Sequence, residues 1–214
     1  MQPHRKYDLF RLPGIVVIVL FSSLASANSV SDLKAFYSKT TSLQTEFRQL
    51  QLDEQGVVTQ SQEGRFWLQR PQKLRWVYER PYRQVMVNDG ERFWLHDDDL
   101  AQVTVRPSSE ALQNAPLLLL SGGPALEAQF EMTELASKDG LDWVEIKPRE
   151  KESDFISARM GLRQGIPSVL ELADSLGQQT RILFMNLRLN PRIDANQFKF
   201  VIPDGVEVIG DTEG

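Results

Sequence analysis

The sequence predicts a mainly β chain of α+β type, folded as an open antiparallel β-barrel or strongly curved half-barrel with short helices over its mouth. Three observations predict it. Apolar residues recur with period two over most of the chain from Leu43 onward. Turn chemistry interrupts those runs at short intervals, at Asn88-Asp89-Gly90, Asp139-Gly140, Gln164-Gly165 and Leu176-Gly177. The resulting ten or eleven strands form a meander too long to stay flat, so it must curl, close or split into two sheets.

The first 27 residues stand apart from that pattern. His4, Arg5, Lys6 and Arg11 give a basic start, the stretch from Ile15 to Ala27 is largely apolar, and it ends in Ala25-Ser26-Ala27. This is the layout of a secretory signal peptide cut after Ala27. The apolar run is shorter than the about 20 residues that a membrane-spanning helix needs. Residues 28–214 are then expected to form one domain, since no repeat or Pro/Gly/Ser-rich linker divides them. Asn28 follows the cut where a lipoprotein would carry cysteine, so the mature protein is expected to be soluble.

A helix is expected over Ser31 to Ser42, with Leu33, Phe36 and Tyr37 on one face and Ser29 or Ser31 as N-cap. The strands follow as "LQTEFRQLQL", "VVTQSQEGRFWLQRP", "LRWVYERP", "RQVMVNDGERFWLHD" and "AQVTVRP", with "DEQG" as the first turn. Pro71, Pro81 and Pro107 punctuate strand ends, where a missing N–H matters least. From Pro107 to Gly123 the pattern reads as one or two short helices stopped by Gly122-Gly123. Leu117 to Leu120 are apolar on every side, which suits a piece buried between layers. Strands then resume at Gln129–Leu135, Asp142–Lys147, Ile156–Leu162, Val169–Asp174 and Gln179–Leu187, with a last short one in "DANQFKFVIPDGVEVI".

Composition narrows the function classes. Without residues 1–27 the chain keeps 21 basic and 28 acidic residues, a net charge of -7. That disfavours nucleic acid as a partner, because phosphate contacts call for a basic patch. The absence of cysteine leaves the core to hold without disulfides. His96 is followed by Asp97-Asp98-Asp99. Zinc requires three or four N/S ligands and calcium six to eight oxygens, so this run reads as a solvated hairpin turn. Neither a Gly-x-Ser-x-Gly elbow nor a phosphate-binding glycine loop occurs. Asp53-Glu54 and Glu150/Glu152 fall in apparent turns. No catalytic residue, metal or cofactor is expected, and enzyme activity is disfavoured.

What is abundant is apolar surface on a curved sheet. Phe66, Trp67, Leu74, Trp76, Val85, Met86, Val87, Phe93, Trp94 and Leu95 all fall in the first meander. From pattern alone an ordinary core is the better reading, with a cavity for an apolar ligand as the alternative. One position resists both readings. In "GRFWLQRPQKLRW" a full positive charge, Arg70, sits inside an apolar strand run, directly before Pro71.

These segments resemble the LolA family of periplasmic lipoprotein carriers. "SLQTEFRQ", "GRFWLQRPQKLRWVYERP", "VNDGERFWLHDDDLAQVTV", "NAPLLLLSG" and "DANQFKFVIPDGVEVI" correspond to that family's blocks, in its order and over nearly all of the chain after residue 27. The resemblance implies an unclosed antiparallel β-barrel of about eleven strands, lidded by short α-helices. It implies a monomer that takes acylated lipoproteins from an inner-membrane ABC-type release complex, shields their acyl chains across the periplasm and delivers them to an outer-membrane lipoprotein receptor.

It also gives Arg70 a role. The guanidinium would latch the lid by hydrogen-bonding backbone carbonyls near Leu120, Ser121 and Tyr37. An inward Arg70 puts Leu68 and Phe66 on the inner face by the pleat of the strand. Trp76 matches a cavity aromatic of the family and Leu74 shares its face, while Trp67 turns outward or into a second layer. The expected acyl-chain cavity residues are Phe47, Phe66, Leu68, Leu74, Trp76, Met86, Phe93 and Leu118. Pro124 directly after "LLLLSGG" departs from the simplest family pattern and implies a shorter lid. The charged stretch Pro148 to Phe155 reads as a solvated hairpin rather than a docking surface. Two relatives of the same fold remain as alternatives, a carrier of another lipid in a specialised export pathway and a lipid-sensing regulator of envelope stress.

Overall fold

The computed structural model describes residues 28–111, 119–120, 124–149, 156–174 and 177–210. The expected signal peptide, Leu118, Ser121, the pair Glu150/Glu152 and most of the charged stretch up to Phe155 lie outside the described residues.

The chain begins with helix α1 (Ser29–Lys39), two residues earlier than the sequence suggests. Its N-cap is Asn28, not a serine; the Asn28 side-chain oxygen accepts the Ser31 N–H. Asparagine is as good a cap as serine. The helix ends at Lys39 rather than Ser42, because Thr40 is already extended and its N–H returns to the Phe36 carbonyl.

Six strands then run as a meander: β1 (Ser42–Leu52), β2 (Val58–Gln69), β3 (Lys73–Arg80), β4 (Gln84–Asn88), β5 (Arg92–Asp97) and β6 (Gln102–Pro107). Helix α2 (Ser108–Ala111) and helix α3 (Pro124–Gln129) follow, with Leu119 and Leu120 also helical between them. The expected strand at Gln129 therefore starts one residue later, behind a helix that the double glycine does not prevent. Proline is at home in the first position of a helix, where its missing N–H would be unpaired anyway.

A second meander comprises β7 (Phe130–Lys138), β8 (Leu141–Pro148), β9 (Ser157–Arg163), β10 (Ile166–Ala173) and β11 (Gln179–Leu189). A 3-10 helix (Ala195–Phe198) and β12 (Glu207–Ile209) complete the chain.

Among the described residues all twelve strands belong to one sheet, ordered β12-β6-β5-β4-β3-β2-β1-β11-β10-β9-β8-β7. The two meanders join where β1 pairs with β11, from Leu43↔Leu189 to Leu52↔Gln179. The ends of the order, β7 and β12, do not pair, so the barrel is unclosed. One more strand is present than the resemblance implies, and the last is not antiparallel. β12 lies parallel to β6, with Glu207 beside Gln102 and Ile209 beside Thr104. Parallel neighbours require a crossover, and the segment from Asn190 to Val206 supplies it.

That crossover divides the buried side chains into two layers. On the concave face Leu33 and Phe36 of α1, Leu126 of α3, Leu119 and Leu120 pack on Phe47, Phe66, Leu68, Leu74 and Trp76 and on the inner residues of β8–β11. On the convex face Trp67, Val77, Val85, Val87, Trp94, Val103 and Val105 are covered by Phe198, with Ile193, Phe200, Val206 and Val208 alongside. Trp67 thus belongs to a second layer. His96 belongs there too. It is only 8% exposed, near the Phe200 ring, with its Nδ1 3.1 Å from Asp98. The solvated part of His96-Asp97-Asp98-Asp99 is the turn after it, where Asp97 accepts the Asp99 and Leu100 N–H groups.

Gly64 shows how tightly the inner layer is built. It pairs with Phe47 on one side and Tyr78 on the other, beside an irregularity in the β2–β3 register. A Cβ there would stand 1.9 Å from the Val77 carbonyl oxygen and 2.9 Å from Phe47 Cζ. Backbone would have to move, so Gly64→Ala is expected to lower the unfolding free energy by about 2 kcal/mol. Urea denaturation of the variant checks this; an unchanged midpoint contradicts the close approach.

Candidate functional site

The concave face holds a cavity of about 260 Å³. Its walls come from both meanders. β3, β4 and β5 supply Trp76, Tyr78, Met86 and Phe93, while β10 and β11 supply Leu170, Leu172, Thr180 and Ile182. Gln49 of β1 lies between them, and Leu120 closes the volume from the helical side. The period of two is visible in the pairs 76/78, 170/172 and 180/182, and the ladder sets them side by side: Trp76 opposite Met86, Leu170 opposite Ile182, Leu172 opposite Thr180.

Of the residues expected at the cavity, Trp76, Met86 and Phe93 line it. Phe47, Phe66, Leu68 and Leu74 have no exposed surface and do not border the open volume. They form the packed wall behind it. Phe47 holds Trp76 at 4.3 Å between ring centroids and Tyr78 edge-on at 5.3 Å, and Phe66 meets Trp76 at 4.9 Å. Gln49, Tyr78, Leu170, Leu172, Thr180 and Ile182 were missed by the sequence reading. The alternation in "VLEL" and "TRI" marks one face of β10 and β11, but only the strand order tells that this face meets β3.

The lining is not wholly apolar. The Tyr78 hydroxyl donates to Gln49 Oε1 at 3.0 Å, and Gln49 Nε2 donates to Gln62 Oε1 at 3.3 Å. The Trp76 indole N–H lies near enough to Tyr78 to oppose the rise of its pKa, yet makes no hydrogen bond of normal geometry.

Arg70 lies at the end of β2, in the turn to β3, and is partly buried. Its Nε donates to the Thr40 carbonyl at 2.6 Å and its Nη2 to the Leu120 carbonyl at 3.3 Å. The guanidinium lies 5.6 Å from the centre of the Tyr37 ring, whose hydroxyl donates to the Leu119 carbonyl at 2.5 Å. The expected carbonyl at Tyr37 is replaced by the one at Thr40, the cap residue of α1, and Tyr37 takes part through its ring and hydroxyl instead. Helix ends leave carbonyls without intrahelical partners. The side chain therefore ties the end of α1 and the helical pair Leu119–Leu120 to one turn of the sheet. Its Nη1 has no partner among the described residues. Burial weakens the hold of Arg70 on its proton, against the nearby Tyr37; a guanidinium nonetheless stays charged in a protein.

Among the described residues no group of three or more His, Asp or Glu side chains is placed to hold a metal ion. The geometry is that of a small, mainly apolar chamber beside helical residues that one cation and one tyrosine hydroxyl join by hydrogen bonds.

Burial raises two tyrosine pKa values at this site. Tyr78 is pushed up to about 12 by desolvation, against the opposing influence of the nearby Trp76 N–H and of the contact with Gln49. Tyr37 is pushed well above the ordinary tyrosine value by desolvation, against the opposing charge of Arg70. In each case the folded state holds the proton more tightly than the unfolded chain. Stability should be level up to about pH 10, the ordinary tyrosine value. Above it, stability should fall by about 1.4 kcal/mol per pH unit for each buried tyrosine. Urea midpoints compared below and above that pH test the sign, and Tyr37→Phe should remove part of the slope.

The chain compares with known proteins as follows. The model of the family "Outer membrane lipoprotein carrier protein LolA" matches residues 38–201. A protein of Methylobacillus flagellatus named outer-membrane lipoprotein carrier protein is 40% identical over 197 residues, 92% of this chain and 96% of that one. One of the same name from Bordetella avium is 36% identical over 205 residues, 95% of this chain and 98% of that one. Among solved structures, an uncharacterized conserved protein from Thermus thermophilus superposes with a TM-score of 0.54 at 12% identity, over 85% of this chain and 98% of that one, a likeness of fold. The family model spans the inner wall, the Arg70 turn and the crossover alike, and with that extent of match this chain belongs to the LolA family of outer membrane lipoprotein carrier proteins.

Proposed function

We propose that the protein is a periplasmic carrier that shields the acyl chains of lipoproteins between the inner and the outer membrane. The observation that supports this most is the apolar chamber under a cover held by Arg70. At about 260 Å³ it is smaller than the roughly 300 Å³ at which ligand pockets usually begin, so it must widen to take up a whole acyl chain. Lifting the cover returns the guanidinium to water, which offsets part of the lost hydrogen bonding. Each CH₂ buried contributes about 0.8 kcal/mol, so long acyl chains outweigh one latch.

A latch favouring the closed form weakens apparent affinity by the fraction of open form. That keeps cargo deliverable. On this reading residues 1–27 direct export and are removed, leaving Asn28 as both first residue and helix cap. Cargo comes from an inner-membrane ABC-type release complex and passes to an outer-membrane lipoprotein receptor. The role is that of a chaperone rather than of an enzyme.

The test is release of cargo. Spheroplasts incubated with the purified protein should yield an outer-membrane-destined lipoprotein in the soluble fraction, bound one to one. Release of nothing, with a fluorescent fatty-acyl probe still bound, contradicts the lipoprotein reading in favour of another lipid. Arg70→Leu should accept cargo and fail to pass it on to outer membranes; normal delivery by that variant removes the latch role.

A further inference from the structure

The face of β2–β5 that points away from the cavity carries a second concavity. It is a crevice of about 540 Å³ between the sheet and the crossover segment from Asn196 to Pro203. Its chemistry is the inverse of the cavity's. Arg65, Arg75, Arg83 and Lys199 line it, with Glu79 as its one carboxylate among the described residues.

Two of the cations have partners. Arg65 donates to Glu79 through Nε at 2.6 Å and lies over the Trp67 ring at 5.3 Å. Arg83 pairs with Asp98 at 3.2 Å. Arg75 is different. It projects from β3 directly opposite Trp67, is half-buried, and reaches only the Gln197 carbonyl at a long 3.5 Å. No carboxylate among the described residues pairs with it. Desolvation and the nearby charge of Arg83 both weaken its hold on its proton. A half-buried guanidinium with no ion-pair partner among the described residues keeps donors free for a ligand in the crevice. A carboxylate suits those donors, since the planar fork of arginine matches one bidentately.

We propose that this crevice docks an acidic segment of a partner protein, with one carboxylate of that segment paired to Arg75 at the floor. Its shape and lining favour an extended chain. Arg75 and Glu79 stand four residues apart on β3, about 13 Å, and apolar Val77, Val85 and Phe200 lie among the charged groups. Such a strip suits a strand-like segment that alternates acidic and apolar side chains. A flat anionic bilayer is a poorer occupant. The crossover residues from Asn196 to Pro203 form one wall of the crevice beside Arg75, which a plane cannot enter as a single extended chain can.

The site is separate from the chamber, so it is testable without any assumption about cargo. A fluorescein-labelled peptide of alternating Glu and Leu is titrated with the purified protein and followed by anisotropy. Binding is expected at low salt and should weaken as salt is raised. Arg75→Gln should lower the affinity by about tenfold, the loss of one charge-assisted hydrogen-bonded pair, and Arg75→Lys should recover part of it. Binding of a fluorescent acyl probe in the chamber should be the same in all three proteins. The proposal is overturned if the peptide does not bind at low salt, if Arg75→Gln binds it as the wild type does, or if a Lys-Leu peptide binds equally well. Arg75-dependent binding of phosphatidylglycerol vesicles without binding of the peptide overturns it in favour of a lipid headgroup.

Discussion

A guanidinium placed inside an apolar fold must find acceptors, and the choice of acceptor decides what kind of fastening it becomes. Arg70 is given carbonyls, at Thr40 and Leu120, and an aromatic face, at Tyr37. None of these is charged. A buried carboxylate would have made a pair that is costly to break, because separation leaves both charges uncompensated. Carbonyls at helix ends hold the cation with less energy and are themselves content in water once released. One of the contacts between the helical side and the sheet is therefore specific in direction and modest in strength. Among the described residues Nη1 has no partner, which leaves the arrangement short of its full bonding capacity.

The rest of the fold backs that fastening with packing on both faces of the sheet. A curved sheet exposes two faces, and each needs an apolar partner. The concave face receives helical residues from two distant stretches of chain, α1 on one side and the pair Leu119–Leu120 with α3 on the other, which meet through the Lys34–Glu127 ion pair as well as through Arg70. The convex face receives the crossover, where Phe198 is buried and Phe200 stacks on Trp94. With Trp67, Val77 and Trp94 locked on the outside, the inner wall of Phe47, Phe66 and Trp76 has a fixed backing.

Much of this is legible in the sequence. The inward set Phe66, Leu68, Leu74 and Trp76 follows from pleat alone because β2 and β3 pair without irregularity from Gly64↔Tyr78 to Gln69↔Lys73. The register does shift elsewhere, at Gln44/Glu46 in β1 and at Pro167/Val169 in β10, and no residue pattern announces those shifts. The role of β10 and β11 in the chamber was hidden for a different reason. Alternation tells which residues share a face, while the pairing of β1 with β11 brings that face to β3, and that is a long-range fact. His96 was misread because a buried strand end and a solvated turn adjoin within a few residues. The Thr40 acceptor was missed because the end of α1 is set by one hydrogen bond, from the Thr40 N–H to Phe36, that propensity does not resolve.

The pairing order ends at β7 and β12, and these two strands share no ladder. Edge strands invite foreign pairing, and β7 answers with exposed Glu131, Glu134 and Lys138. The gap also has a mechanical meaning. A closed barrel has a girth fixed by strand number and stagger, and widening it means breaking backbone hydrogen bonds. In this chain the circumference is interrupted, so its twist relaxes like a split ring. Enlarging the interior for a bulky guest then strains side-chain contacts between helix and sheet while every strand keeps its neighbours.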